Sequence, residues 1–284
     1  TTYNPVGGFN DVYSGDHYRN IVDPTIVNDP VTGIPTPFRA TYEVETAGPD
    51  DTLDVPADAV TWAVESKAWV PVPAGTTAVS RVTFDYSKFL GANWHHGQPI
   101  TLADAVYSLA QGMELAYDPE KVRIETAIAV TSRPILETFK GYRLTEDDQL
   151  EVYVDYWHFD EDHIGAYASP VGFDMPWELK AAMDELVFEE RRAAYSDTAA
   201  SRFSVPWVSL VLERDAGLVD RMLRTLEREE RVPEGVFEFG DRTLVTPEEA
   251  MARYEAARDW FDEKEHLVIS QGPFYLEQFD PPAQ

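Results

Sequence analysis

Between Asp155 and His163 the chain reads Asp-Tyr-Trp-His-Phe-Asp-Glu-Asp-His, four carboxylates and two imidazoles in one short run. Histidine and carboxylate together can hold a divalent cation. The spacing is neither the His-Glu-x-x-His helix pattern nor a calcium loop, which needs a Gly and a distal Glu. A solvated acidic loop is the reading the spacing favours, and no metal is assigned. His95-His96, between Trp94 and Gly97, could supply a base or a ligand. A turn after a strand, with both imidazoles bonded to backbone, explains the pair more simply.

Paired carboxylates can hydrolyse glycosides when both face one sugar ring. Asp147-Asp148 and Glu189-Glu190 are sequence neighbours, so their side chains diverge on a strand or helix. No Gly-x-Ser-x-Gly elbow, phosphate-binding Walker loop or Gly-x-Gly-x-x-Gly fingerprint is present. Catalysis is therefore not expected, and no cofactor is implied. The aromatic residues have more to offer. Tyr153, Tyr156, Trp157, Trp177 and Trp207 are the candidate ligand-binding residues, because flat amphipathic rings stack on sugars and peptide planes in a cleft. Core positions are the competing reading for each of them.

Composition narrows the classes. The 284 residues carry 23 Lys and Arg against 51 Asp and Glu, a net charge of −28. Such a field repels phosphate backbones and anionic lipid, so nucleic acid is excluded as a partner. Apolar residues at 44% allow a packed core. The absence of cysteine removes disulfides, thiol chemistry and cysteine-ligated metals. No run approaches the roughly 18 apolar residues of a membrane span. Thr1 to Asn10 lack the charged and apolar regions of a secretory signal.

Elements that would position these residues follow from periodicity. Phe38–Glu45, Val60–Trp69 and Val79–Tyr86 alternate as strands do, and Leu150–Trp157 does so most clearly. Asn28 to Gly33 reads as a tight turn. Thr101 and Asp104 fit a capping box ahead of Leu102, Val106, Leu109 and Met113 at helical spacing. Asp118-Pro119 opens a further helix, with Ile124, Ile128, Ile135 and Phe139 on its buried side and Pro134 interrupting it. Residues 175–265 read as a mostly helical subregion, with a hairpin turning at Gly240-Asp241 and a helix starting at Thr246-Pro247. Leu267–Ile269 and Phe274–Phe279 would be closing strands. Strands and helices mix without strict alternation, so the expected fold is α/β with α+β character, a mixed sheet with covering helices.

The stretch from Ser80 to Leu109 resembles the signature of the family 5 extracellular solute-binding proteins of ABC transporters. In that family a strand leads to a Trp-His-Asp-Gly-like turn, then to a Pro-x-Thr-Ala-x-Asp-Val helix start. Trp94, His95, Gly97, Pro99, Thr101, Asp104, Val106 and Ser108 match. His96 stands where Asp is usual, Leu102 where Ala is usual, and Ala105 precedes Val106. Ile26 to Pro37 is similar to the family's early stretch, with Phe38 and Arg39 as departures. Ser270-Gln271-Gly272-Pro273-Phe274-Tyr275-Leu276 is similar to its Gly-Thr-Gly-Pro-Tyr segment.

The resemblance implies a class II periplasmic-binding-protein-like lobe spanning residues 1–284, a single lobe or fragment because family members are usually larger. It implies a non-catalytic protein that binds a peptide or oligosaccharide outside the membrane and delivers it to a permease. The parent would be exported, extracellular or periplasmic, and membrane-tethered. The motif itself reads as architectural, and no ligand contacts carry over. A carbohydrate-active hydrolase with paired carboxylates and a protein-interaction module are the alternatives.

Overall fold

The fold is known from a computed structural model, which describes residues 2–9, 11–170 and 172–280. Helix α1 (Val12–Ile21) is capped by the Asp11 carboxylate and leads to a hairpin of β1 (Ile26–Asn28) and β2 (Pro35–Pro37). Asp29 accepts the backbone N–H groups of Val31 and Thr32 at 2.9 and 2.7 Å, which closes the turn expected there. Next come β3 (Thr41–Thr46), β4 (Leu53–Asp54), β5 (Val60–Ala63), β6 (Ala68–Pro71), β7 (Thr77–Ala78), β8 (Ser80–Asp85) and the single turn α2 (Ser87–Leu90). Helices α3 (Leu102–Tyr117), α4 (Pro119–Ile124) and α5 (Thr126–Leu136) precede the hairpin of β9 (Phe139–Leu144) and β10 (Leu150–Val154), followed by α6 (Glu161–Ala168). Helix α7 (Trp177–Asp184) continues directly into a π-helical turn, Glu185–Glu189. Helices α8 (Asp197–Phe203) and α9 (Glu213–Arg228), the small hairpin of β11 (Glu238–Phe239) and β12 (Arg242–Thr243), and α10 (Pro247–Lys264) complete the order.

The principal sheet runs β3-β8-β10-β9-β5-β6, with helices packed against it, an α/β fold with α+β character. Its neighbours pair antiparallel throughout, and the parallel component of a mixed sheet reduces to one isolated bridge, Ala194 with Trp207. Strand β10 lies inside this sheet and is buried on both faces. Leu150, Val152 and Val154 join the main core, while Tyr153 packs with Val55, Ala59, Val72 and Ala78 in a second, smaller one. Glu151 on that second face is buried too. Burial pushes its carboxyl up, but Arg143 at 2.7 Å and the Tyr153 hydroxyl at 2.6 Å outweigh this and hold it below the usual range.

Four expectations are corrected. Val60–Trp69 is two strands rather than one, because the chain reverses through Lys67 at φ 48°. The strand expected from Phe38 starts at Thr41, and Phe38 is solvent-exposed. The stripe Ile124–Phe139 is split: Ile124 ends α4 in the core, Ile135 is half exposed, and Phe139 belongs to β9. Helix α5 persists two residues past Pro134, and Arg133 donates from Nε to the Ala116 carbonyl at 2.6 Å near the end of α3. Finally, Leu267–Ile269 and Phe274–Phe279 belong to no strand among the described residues. Leu267 is held by its N–H bond to Leu210, 2.8 Å, and His266 bonds the Leu276 carbonyl at 3.1 Å.

Candidate functional site

The Trp94–Asp104 segment sits at the centre of a buried charge network. Gly97, at φ 91°, makes the turn in a conformation that side-chain-bearing residues avoid, and its N–H bonds the Trp94 carbonyl at 2.8 Å. The chain then enters α3, where the Asp104 carboxylate accepts the Thr101 N–H at 2.9 Å and closes the capping box. The same carboxylate accepts from the Trp177 N–H at 3.0 Å and Trp94 Nε1 at 3.4 Å. Arg253 of α10 donates from Nη2 to Asp104 at 2.7 Å and from Nε to Glu178 at 2.7 Å. His96 Nε2 lies 2.8 Å from the other Glu178 oxygen. A carboxylate only accepts, so this nitrogen carries the hydrogen.

Asp104 and Glu178 are both fully buried and share one guanidinium. Burial raises the Asp104 carboxyl above its ordinary value despite Arg253. Burial acts on Glu178 in the same sense, but Arg253 and His96 outweigh it and hold it low. The network joins the starts of α3 and α7 to the middle of α10. His95, in contrast, is bonded to backbone as expected: Nδ1 accepts the Ser270 N–H at 3.2 Å and Nε2 donates to the Gly272 carbonyl at 3.0 Å. Burial depresses its pKa, as it does for His266.

On the far side of α3 a cavity of about 570 Å³ opens between α3, α4, the end of α7, the π-helical turn and the loop 231–236. Tyr107, Gln111 and Glu114 project from α3 at helical spacing, opposite Asp184, Glu185 and Phe188. Asp184 accepts three neutral donors: Tyr107 Oη at 2.8 Å, Gln111 Nε2 at 2.9 Å and Tyr195 Oη at 2.7 Å. Burial, and then the Asp184 charge, push both phenols far above their usual range. Glu114 pairs with Lys121, whose ammonium also lies 4.9 Å from the Phe188 ring centre. Burial lowers Lys121, and Asp184 and Glu114 more than compensate. Arg231 grips both oxygens of Glu185. Gly235 brings the loop against Lys67, where a Cβ would sit 2.0 Å from the Lys67 carbonyl oxygen.

The cavity wall carries five carboxylates and three cations. Lys67, Glu189 and Glu234 on that wall form no ion pair among the described residues. The site therefore offers free charge of both signs on a preorganised hydrogen-bonded floor.

The five aromatic residues singled out from sequence do not share a cleft. Tyr153 fills the second core, and Trp177 is fully buried against Phe237, Tyr254 and the Arg253 guanidinium. Both are packing residues, because an alternating strand and an apolar helix face turn inward where both sides are covered. Tyr156 stacks on Tyr167 at 3.9 Å. Trp157 is 40% exposed. Trp207 donates from Nε1 to the Tyr195 carbonyl at 2.6 Å, beside the small Ala194–Ala199–Ala200 cluster.

The acidic run has structural roles. Asp160 caps α6, accepting the Asp162 N–H at 3.1 Å, Asp162 accepts from Tyr42 Oη at 2.9 Å, and Asp155 pairs with Lys140 at 2.9 Å. Among the described residues no group of three or more His, Asp or Glu has the geometry to hold a metal ion. Asp148 pairs with Arg242 at 2.6 Å, and Glu189 and Glu190 are exposed. Among the described residues no helix is long and apolar enough to cross a membrane.

Sequence reasoning missed the cavity residues. Their signal was a polar stripe, Tyr107, Gln111 and Glu114, on an otherwise apolar helix. It also missed Arg253, which shares its helix face with Ala250, Tyr254 and Ala257. No protein-family model matches the chain, and no curated protein matches it.

Proposed function

We propose that this chain is the solute-binding part of an ABC transporter and that it takes a peptide at the cavity between α3 and the end of α7. The observation that carries this reading is the cavity's free charge of both signs. A peptide presents an ammonium for Glu189 and Glu234 and a carboxylate for Lys67, with amide groups for the polar floor. A sugar would need an exposed aromatic platform, and Tyr107 and Phe188 in this wall are buried. The family resemblance around Trp94 supports the same reading, since the motif holds α3 in place without touching the cavity. In this account the parent protein is exported and tethered outside the membrane. It closes a second lobe over the solute by hinge motion and passes the solute to a permease.

A thermal-shift screen against oligopeptides, oligosaccharides and divalent metals, with EDTA as control, tests the reading. Ligand binding to the native state raises the melting temperature with the logarithm of ligand excess. Peptides are expected to raise it and neutral oligosaccharides to leave it unchanged. A shift with oligosaccharides alone would overturn the assignment.

A further inference from the structure

A second cavity, of about 250 Å³, lies on the opposite side of α4 and the π-helical turn. Three arginines, Arg123, Arg191 and Arg202, stand around an apolar wall that includes Ile124, Val187 and Phe203. Among the described residues no carboxylate lines it. In a chain of net charge −28 that is unusual, and four other cavities each carry at least one carboxylate. The nearest counter-ion is Glu120, whose Oε2 lies 2.6 Å from Arg123 and 3.7 Å from Arg191 at an exposed position.

The arginines are positioned rather than scattered. Arg191 sits at φ 54°, a left-handed conformation that favours glycine or asparagine, just after the π-helical turn. Ser204 ends α8 in the same region, at φ 56°, and so fixes the neighbouring Phe203 at the rim. Arg202 stacks on Phe203, with its guanidinium carbon 4.8 Å from the ring centre, and donates to the Arg123 carbonyl at 3.0 Å. It forms no ion pair among the described residues, so with Nη1 held by that carbonyl the rest of its charged fork can still meet an incoming anion.

We propose that this cavity is a binding site for a small apolar carboxylate, with the ring or alkyl part on Ile124, Val187 and Phe203 and the carboxylate on Arg191 and Arg202. The guanidinium fork matches a carboxylate in two parallel hydrogen bonds, which a point charge does not. At about 30 Å³ per water the cavity holds roughly eight waters, room for one ring and its carboxylate. The site is separate from the α3 cavity and does not depend on the solute-binding reading.

Calorimetric titration with benzoate tests it, with benzamide and benzylamine as the neutral and cationic isosteres. Saturable 1:1 binding of benzoate is expected, with neither isostere binding. Arg191→Ala removes a side chain that is 60% exposed, so the fold survives, as circular dichroism would check. Arg191→Ala and Arg202→Ala are each expected to weaken benzoate at least about ten-fold, the loss of a charge-assisted hydrogen bond. Arg221→Ala, on the wall of a different cavity, leaves it unchanged. Benzamide binding as well as benzoate would overturn the proposal. So would an absence of benzoate binding, or full benzoate affinity in both cavity variants.

Discussion

Replacing Arg253 with methionine removes the cation shared by Asp104 and Glu178 while keeping most of the apolar stem. Asp104 keeps three donors, at 2.9, 3.0 and 3.4 Å, whereas Glu178 keeps the His96 contact at 2.8 Å and its own backbone N–H. Breaking a buried pair by deleting one partner leaves uncompensated charge and costs about 3–5 kcal/mol. Urea denaturation followed by circular dichroism, at neutral pH, would measure that loss. The penalty depends on pH in a definite sense. Arg253 is the strongest influence lowering either carboxyl, so its loss moves both folded pKa values upward from wild type, and the penalty is present at neutral pH and fades as pH falls through the variant's folded values. The gap between wild type and variant therefore narrows in acid. Adding Glu178→Gln removes the less-supported charge and recovers part of the loss. A loss below about 1 kcal/mol at neutral pH, or a gap that widens in acid, would refute the claim that this network holds α3, α7 and α10 together.

Other consequences are open to measurement. Trp94→Ala empties a site that is 1% exposed and is expected to cost about 3–5 kcal/mol in urea denaturation. Unchanged stability with altered binding would make Trp94 a contact residue instead. Thr246→Ala removes a hydroxyl that accepts the Glu249 N–H at 3.2 Å in the capping box of α10, and about 1 kcal/mol should be lost. His95 and His266 both have folded pKa values below the ordinary 6.5, so each contributes stability above that pH that is lost as pH falls from 6.5 toward the folded value. Denaturation at a series of pH values should show this fall, and a double His95→Asn, His266→Asn variant should flatten it. An unchanged slope would contradict the role given to the two rings in pinning residues 266–276.

Local chemistry was legible in the sequence, and long-range pairing was not. The capping boxes at Thr101 and Thr246, the Asp118-Pro119 helix start and the Gly240 turn all depend on neighbours three or four residues away, and all form. Alternation from Val60 to Trp69 could not distinguish one strand from two, because both strands of a tight hairpin keep the same period. Phe274–Phe279 has the composition of a strand but pairs with no strand among the described residues, a fact that only the tertiary arrangement determines. Two of the aromatic residues, Tyr153 and Trp177, went into packing for a related reason. Burial of both faces of β10 draws Tyr153 inward, and the core under α10 claims Trp177. The partners of the network, His96 with Glu178 and Asp104 with Arg253, lie 82 and 149 positions apart. Asp104 was read as a helix cap, which it is, but its second role needs a residue from the far end of the chain.

The most direct test of peptide binding at the α3 cavity is a two-dimensional amide NMR titration of the chain with trialanine, and maltotriose alongside. The account predicts saturable trialanine shifts clustered at Lys67, Gln111, Asp184 and Glu234, and weaker binding by a Lys67→Ala, Glu234→Gln variant. No perturbation of those amides at about 10 mM trialanine, well above the millimolar affinity of even a half-built site, would contradict it.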